Sequence, residues 1–260
     1  MRRAHFTQSM IAAFALFVSV MATPSIFAAT VTTAGSDTGG SGTKDAWRTT
    51  SVAKPLDLDN DDIYGTGGYA MFRFNSPSGS VPVNFTGNGT INTLPGWMTL
   101  GAVSGGADLM YGLKSSVDNP AGGADVNSGI LFRSLSASTG VEVGMFTITI
   151  SGGFPTLGAR IGLLSNNSGG TDIPSALRLA QTAGTGSDSV SLSVPNENQP
   201  DWYFFDISGA APGDVFTVYA TSRGGKPTLG GITVDFIPTP AALPAGLALM
   251  GLVGLRRRRA

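Results

Sequence analysis

The sequence contains no cysteine and a single histidine, His5, which lies close to the N-terminus. Without cysteine the chain has no disulfides, thiol nucleophiles or thiolate metal sites. Beyond His5 no Ser-His-Asp triad and no His-ligated zinc can form. Glutamate is also scarce, because only Glu142 and Glu197 occur, so a glycosidase would need aspartate in one or both catalytic roles. These absences predict a non-enzymatic protein and make an Asp/Glu-dependent polysaccharide-cleaving enzyme the least favoured class.

Positive charge is scarce in the central part of the chain. Residues 29–236 contain ten of the 16 basic residues and all 17 acidic residues, which gives this part a net charge of −7. Binding to phosphate requires clustered Lys and Arg. The composition therefore argues against nucleic acid or anionic lipid as a partner of this part.

The N-terminal segment has the pattern of a signal peptide. Arg2 and Arg3 precede an apolar run at residues 10–21, and a more polar stretch ends at Ala28. Small residues before the cut fit signal peptidase, so we predict cleavage after Ala28 and export through the inner membrane. The apolar run is short for a membrane-spanning helix. An uncleaved N-terminal anchor is the alternative.

Short apolar or alternating segments between Gly- and Asn-rich turns predict β-strands. The predicted strands cover residues 69–74, 97–103, 130–133, 141–150, 159–164, 189–194, 202–207, 215–220 and 232–237. Alternation within residues 145–150 places the two threonines on one face and the apolar residues on the other. The predicted core residues are Phe146, Ile148, Ile150, Phe216, Val218 and Ile232.

This pattern predicts an all-β fold, an antiparallel β-sandwich or jelly roll, at residues 45–236. Residues 29–44 have almost no large apolar side chains and are predicted to be a loose start. Only residues 174–181, which open with proline, suggest a short helix. A division near residues 122–123 is the alternative to a single domain.

The C-terminal segment, residues 237–260, has three parts. Pro238, Thr239 and Pro240 precede an apolar run at residues 241–255, and the basic cluster comes last: Arg256, Arg257, Arg258 and Arg259. A helix over this run is short for a bilayer of ordinary thickness. The arginines resist translocation and are expected to stay cytoplasmic, so the body faces outward.

This three-part ending resembles the PEP-CTERM sorting signal of Gram-negative bacteria. Thr239 stands where the Pro-Glu-Pro motif of that family has glutamate. The resemblance implies transient or permanent anchoring in the inner membrane. It also implies cutting near the motif by an exosortase, and release to the cell surface, often into an exopolysaccharide matrix. A plain C-terminal anchor without processing is the alternative.

An acidic segment at residues 57–62 is the one candidate metal site. Asp57, Asp59 and Asp61 alternate and could surround Ca²⁺ with oxygen ligands. The positions that an EF-hand reserves for glycine and glutamate hold Asp62 and Gly68, so the segment is not an EF-hand. A solvated acidic turn is the alternative interpretation, and no other cofactor is predicted.

Aromatic residues supply a second hypothesis. Such rings can stack on sugars, although in β-sandwiches they more often fill the core; they are Trp47, Trp97, Trp202, Tyr64, Tyr69, Tyr111, Tyr203 and Tyr219. Residues 201–207 and 213–220 resemble the closing strands of jelly-roll carbohydrate-binding modules. The sequence thus predicts a non-enzymatic structural or interaction protein of the cell surface or extracellular matrix, with a sugar-binding jelly roll of that matrix as the alternative.

Overall fold

A computed structural model describes residues 28–37, 65, 67–72, 80–82, 85, 91–92, 94–117, 126–132, 136–165, 172–195 and 201–237. These residues form two antiparallel sheets and no α-helix. The strands are β1 (Thr30–Asp37), β2 (Gly68–Met71), β3 (Ser80–Pro82), β4 (Ile91–Asn92), β5 (Met98–Gly101), β6 (Leu109–Val117), β7 (Val126–Phe132), β8 (Glu142–Ile150), β9 (Ala159–Ser165), β10 (Ala176–Ala183), β11 (Ser189–Ser193), β12 (Asp201–Ser208), β13 (Val215–Thr221) and β14 (Thr228–Phe236). The expectation of an all-β, sandwich-like fold is therefore confirmed.

The larger sheet has the strand order β1-β12-β9-β14-β7-β6-β3, and β2 joins β14 on one side and β4 on the other. The smaller sheet has the order β11-β10-β13-β8-β5. Each of the nine predicted strands overlaps an observed one. The sequence pattern missed β1, β3, β4, β6 and β10.

The core lies between the two sheets, where both contribute alternating side chains. All six predicted core residues are buried. Thr147 and Thr149 lie on the opposite face of β8 and are only partly buried, as the alternation predicts. Phe72, Phe85 and Phe146 pack edge to face at centroid distances of 5.4–6.0 Å, so the core joins residues from both sides of position 122.

The predicted helix at residues 174–181 is wrong, because this segment forms β10. Leu177 and Leu179 are buried, whereas the alternate residues Ala176 and Arg178 are partly exposed, and this is a period of two. Pairing with β11 and β13 on either side overrides the weak helix propensity of the segment.

The predicted loose start at residues 29–44 is also wrong for Thr30–Asp37, which pair with β12 along their length. Threonine and valine suit a pleated strand, and Val31 alone supplies a buried side chain to the inner face. The body therefore begins at β1, well before the predicted boundary at residue 45.

Candidate functional site

The predicted processing and metal residues fall outside the part of the chain that the structure describes. These are Asp57, Asp59, Asp61, Pro238, Thr239, Pro240, Arg256, Arg257, Arg258 and Arg259. No helix within the described ranges is long and apolar enough to cross a bilayer. The same ranges contain no group of three acidic or histidine side chains placed to share a metal ion.

One end of the sandwich gathers the two points where the described body meets those terminal segments. Val31, Ile207, Ala159 and Phe236 form one row across β1, β12, β9 and β14. The start of β1 and the finish of β14 are therefore three strand spacings apart, roughly 14 Å. We call this the exit end; its loops are residues 151–158, 184–188 and 209–214.

Asp214 ties two loops of the exit end together. Its carboxylate, in a residue only 1% exposed, accepts hydrogen bonds from the backbone N–H of Thr185 at 2.7 Å and of Ala211 at 2.8 Å. The Thr185 hydroxyl lies 3.1 Å from both carboxylate oxygens. A Cβ at Gly184, where φ is +108°, would lie 2.0 Å from Oδ1, so only glycine allows this approach.

Asp188 fixes the start of β1 to the same end. Its Oδ2 accepts a hydrogen bond from the Val31 N–H at 2.8 Å, and its Oδ1 accepts one from the Ser189 N–H at 2.9 Å. Ala29, which follows the predicted cleavage point, is buried. The chain is therefore packed against the body from Ala29 onward.

Gln181 is a buried polar residue of the exit end whose side-chain amide stands out. It is 4% exposed, and neither its Oε1 nor its Nε2 has a hydrogen-bond partner. A buried polar group without a partner costs about 1–3 kcal/mol. Its backbone N–H donates to the Asp188 carbonyl at 2.8 Å. A buried amide of this kind calls for a partner, such as an ordered water, a ligand or a chain group that arrives later.

Two large apolar side chains are exposed at the exit end. Leu157 is 45% exposed and Phe236 is 52% exposed. The backbone joins their segments, because Ile237 N–H bonds to the carbonyl of Gly158, next to Leu157. The remaining large apolar residue that is exposed within the described ranges, Val141, lies at the opposite end of the sandwich and is 42% exposed.

The outer face of the smaller sheet is polar and carries an ion pair. The Arg178 guanidinium donates to both carboxylate oxygens of Glu142, at 2.7 and 2.5 Å, and lies 4.0 Å from the centre of the Tyr219 ring. The hydrogen bond to Glu142 raises the pKa of Arg178 above its ordinary value. On the same face the hydroxyls of Thr182 and Thr217 are 2.8 Å apart.

Most of the described aromatic rings fill the interior instead of forming a platform for sugars. Trp97, Trp202, Tyr69 and Tyr203 are buried, and Trp202 stacks on Phe204 at 6.5 Å between centroids. Tyr219 is partly exposed but is covered by Arg178. Trp47 and Tyr64 lie outside the described residues, as does the side chain of Tyr111.

Sequence reasoning did not single out Asp188, Asp214 or Gln181. Asp214 fell within residues 213–220, which were noted only as resembling a closing strand of a jelly-roll module, and bonds between loops distant in sequence were not visible. No family model, curated protein or solved structure matches the chain.

Proposed function

We propose that the chain is an exported, non-enzymatic β-sandwich protein of the cell surface or extracellular matrix. Its signal peptide is removed after Ala28, and residues 237–260 direct it to the inner membrane and to an exosortase-type enzyme. The observation that carries this proposal is the common exit end. With both addressing segments leaving from one end, both can lie in the bilayer while the rest of the sandwich points away from it.

The strand order supports a jelly roll as the finer description of the sandwich. The last eight strands are divided equally between the two sheets, with orders β7-β14-β9-β12 and β8-β13-β10-β11. These are the two four-stranded layers of a double Greek key. In such a fold the loops of each end cluster, which explains how three loops and both termini of the body meet at the exit end.

The contacts of the described carboxylates support a structural role. Glu142 is paired with Arg178, and Asp206 is paired with Arg160. Asp188 and Asp214 accept hydrogen bonds from backbone amides of neighbouring segments. Each of these carboxylates thus connects two strands or loops, as expected for a residue that stabilises the fold.

Sorting is tested by cell fractionation and mass analysis of the mature termini. The surface-resident protein should begin at Ala29 and end near residues 238–240. Deleting Arg256, Arg257, Arg258 and Arg259 should leave it misrouted, because the cytoplasmic anchor of the tail is gone. Surface-resident protein that still contains Arg259 would contradict processing by an exosortase and would leave a simple anchor.

The orientation of the exit end is tested by labelling introduced cysteines, because the chain has no cysteine of its own that would also react. Leu157→Cys and Val141→Cys carry a polarity-sensitive dye, and the protein with its tail is placed in lipid vesicles. The dye at position 157 should report an apolar interface, because this position is at the membrane-facing end. The dye at position 141, a residue of similar exposure at the other end, should report water. Equal spectra would contradict the orientation.

Binding to exopolysaccharide is the second candidate function, favoured by the hydroxyl-bearing outer face of the smaller sheet. Thr147 and Thr149 are partly exposed there, beside the Thr182–Thr217 pair. Purified matrix polysaccharide should then sediment with the wild-type protein, and Thr147→Arg should weaken binding. Val141→Arg, at the end of the sandwich opposite the exit end, is the control for added charge. Equal binding by all three would exclude this face.

A further inference from the structure

The unpaired amide of Gln181 faces the place where the predicted cleavage point lies. The Cβ position of Gly186 has Gln181 Oε1 at 2.5 Å, Ala28 Cβ at 3.1 Å and the Ala29 carbonyl oxygen at 3.4 Å. Gln181 and the Ala28–Ala29 link therefore meet at one point. A side chain at position 186 would fill that point, so glycine keeps it open.

A second glycine borders the same link. The Cβ position of Gly209, where φ is +69°, has the Ala28 carbonyl oxygen at 3.6 Å and Ala29 Cα at 3.9 Å. The peptide unit between Ala28 and Ala29 thus lies against the turn between β10 and β11 and against the turn between β12 and β13. Two turns of the body therefore enclose the peptide bond at which cleavage is predicted.

We propose that Gln181, Gly186 and Gly209 form a receptor for the new N-terminus of the mature chain. Signal peptidase adds water across the Ala28–Ala29 bond, so that the carboxylate leaves on Ala28 and the ammonium group stays on Ala29. The peptide nitrogen of Ala29 had one N–H, whereas the ammonium has three donors. One of them reaches Gln181 Oε1, and this oxygen gains the donor that it lacks in the uncut chain.

Charge near the receptor favours the ammonium group. The Asp188 carboxylate binds the N–H of Val31, two residues along the chain from Ala29. An α-amino group with an ordinary pKa near 8 is mostly protonated at neutral pH. The attraction between the two charges therefore stabilises the cut form and not the uncut form, in which residue 29 carries no charge on its nitrogen.

The inference rests on the proposed cleavage after Ala28, and it implies that the folded body distinguishes cut from uncut chains. We would release residues 29–260 and residues 27–260 from a fusion partner with a protease that leaves no extra residue. Both chains keep the tail and are purified in detergent. Because the N-terminus is made in vitro, this comparison does not depend on how cells process the precursor.

The chain that begins at Ala29 should melt at least about 3 °C above the chain that begins at Phe27, as expected for one added charge-assisted hydrogen bond in a body of this size. Gln181→Leu should remove most of this difference, since leucine cannot accept the bond. Gln181→Glu should widen it, because a carboxylate pairs with the ammonium group in the cut chain but is buried alone in the uncut one. Gln181→Met replaces the leucine variant if that variant does not fold.

A second readout is the acylation rate of the α-amino group by an activated ester at neutral pH, followed by peptide mass analysis. The rate should be at least about threefold lower in the wild-type chain than in Gln181→Leu, because a bound ammonium group is a poor nucleophile. Equal melting of the two wild-type chains, or a difference that Gln181→Leu leaves intact, would overturn the receptor. An exported protein with a different first residue would instead overturn the proposed cleavage, whatever the melting results.

Discussion

The buried polar side chain that ties loops together is a carboxylate, Asp214, at one end of the sandwich and a hydroxyl, Ser222, at the other. The carboxylate of Asp172 at that other end is only partly buried and accepts a hydrogen bond from the Lys226 N–H. At the exit end two carboxylates, those of Asp188 and Asp214, accept hydrogen bonds from backbone amides of three separate segments. At the opposite end, which we call the far end, the hydroxyl of Ser222 lies 2.9 Å from the carbonyl oxygens of Ala137 and Gly225. The same hydroxyl accepts a hydrogen bond from the Gly224 N–H.

The difference follows from what each end must accommodate. The far end closes turns within the body, and its polar bonds join neighbouring loops. The exit end also receives the start of β1 and the finish of β14, so its loops must be fixed to strands that lead out of the body. A buried carboxylate can accept several N–H groups at once, and charge-assisted bonds are stronger than those of a hydroxyl. The comparison predicts that the exit end is the more sensitive to loss of one side chain.

The largest effect is expected at Asp214. Asp214→Ala should lower the free energy of unfolding by about 3 kcal/mol, because the partly buried N–H groups of Thr185 and Ala211 lose a charged acceptor that is itself fully buried. Urea unfolding of the cut chain, followed by circular dichroism, measures the change. Asp214→Asn keeps one acceptor oxygen and should cost less than the alanine variant. A loss below about 1 kcal/mol for Asp214→Ala would show that water replaces the carboxylate.

A smaller effect is expected at the far end. Ser222→Ala should cost about 1–2 kcal/mol, since the Gly224 N–H and the carbonyl groups around the buried hydroxyl lose a neutral partner. The same unfolding measurement serves, and Thr99→Ala, an exposed change on β5, is the control. If Ser222→Ala were as costly as Asp214→Ala, the contrast between the two ends would be wrong.

The strands and core residues that are marked by local alternation could be predicted from the sequence. The strands that depend on pairing with distant strands could not. The period of two in residues 145–150 was enough to place Phe146 and Ile148 in the core. The same period in β10 was hidden, because alanine, leucine and arginine also favour helices. The strand β1 was missed because its stability comes from bonds to β12 and not from its own apolar residues.

The candidate site was even less accessible to sequence reasoning. Gln181 and Gly186 are close in sequence, but Gly209 and Ala29 reach them only through the fold. The Asp57, Asp59 and Asp61 hypothesis stays a prediction, and chelation followed by thermal melting would test it. A site built from loops of several strands leaves no motif in the chain, because each loop supplies only one or two residues.

The smallest effects concern one surface ion pair from each region. Arg178–Glu142 joins strands of the smaller sheet toward the far end, and Arg160–Asp206 joins β9 to β12 near the exit end, with Arg160 Nε 2.8 Å from Asp206 Oδ1. Glu142→Gln should cost about 0.5 kcal/mol, as partly exposed pairs do, and Asp206→Asn slightly more because Asp206 is less exposed than Glu142.

Hydrogen bonding to Glu142 raises the pKa of Arg178, so the contribution of its positive charge is complete below the ordinary arginine pKa and is lost only at extreme alkaline pH. Salt is therefore the informative variable: unfolding in low salt and in 1 M NaCl should show both losses shrinking toward zero. If the loss for Asp206→Asn persisted in high salt, the pair would act through its hydrogen-bond geometry and not through charge. The exit end would then again be the end that is more sensitive to the loss of one side chain.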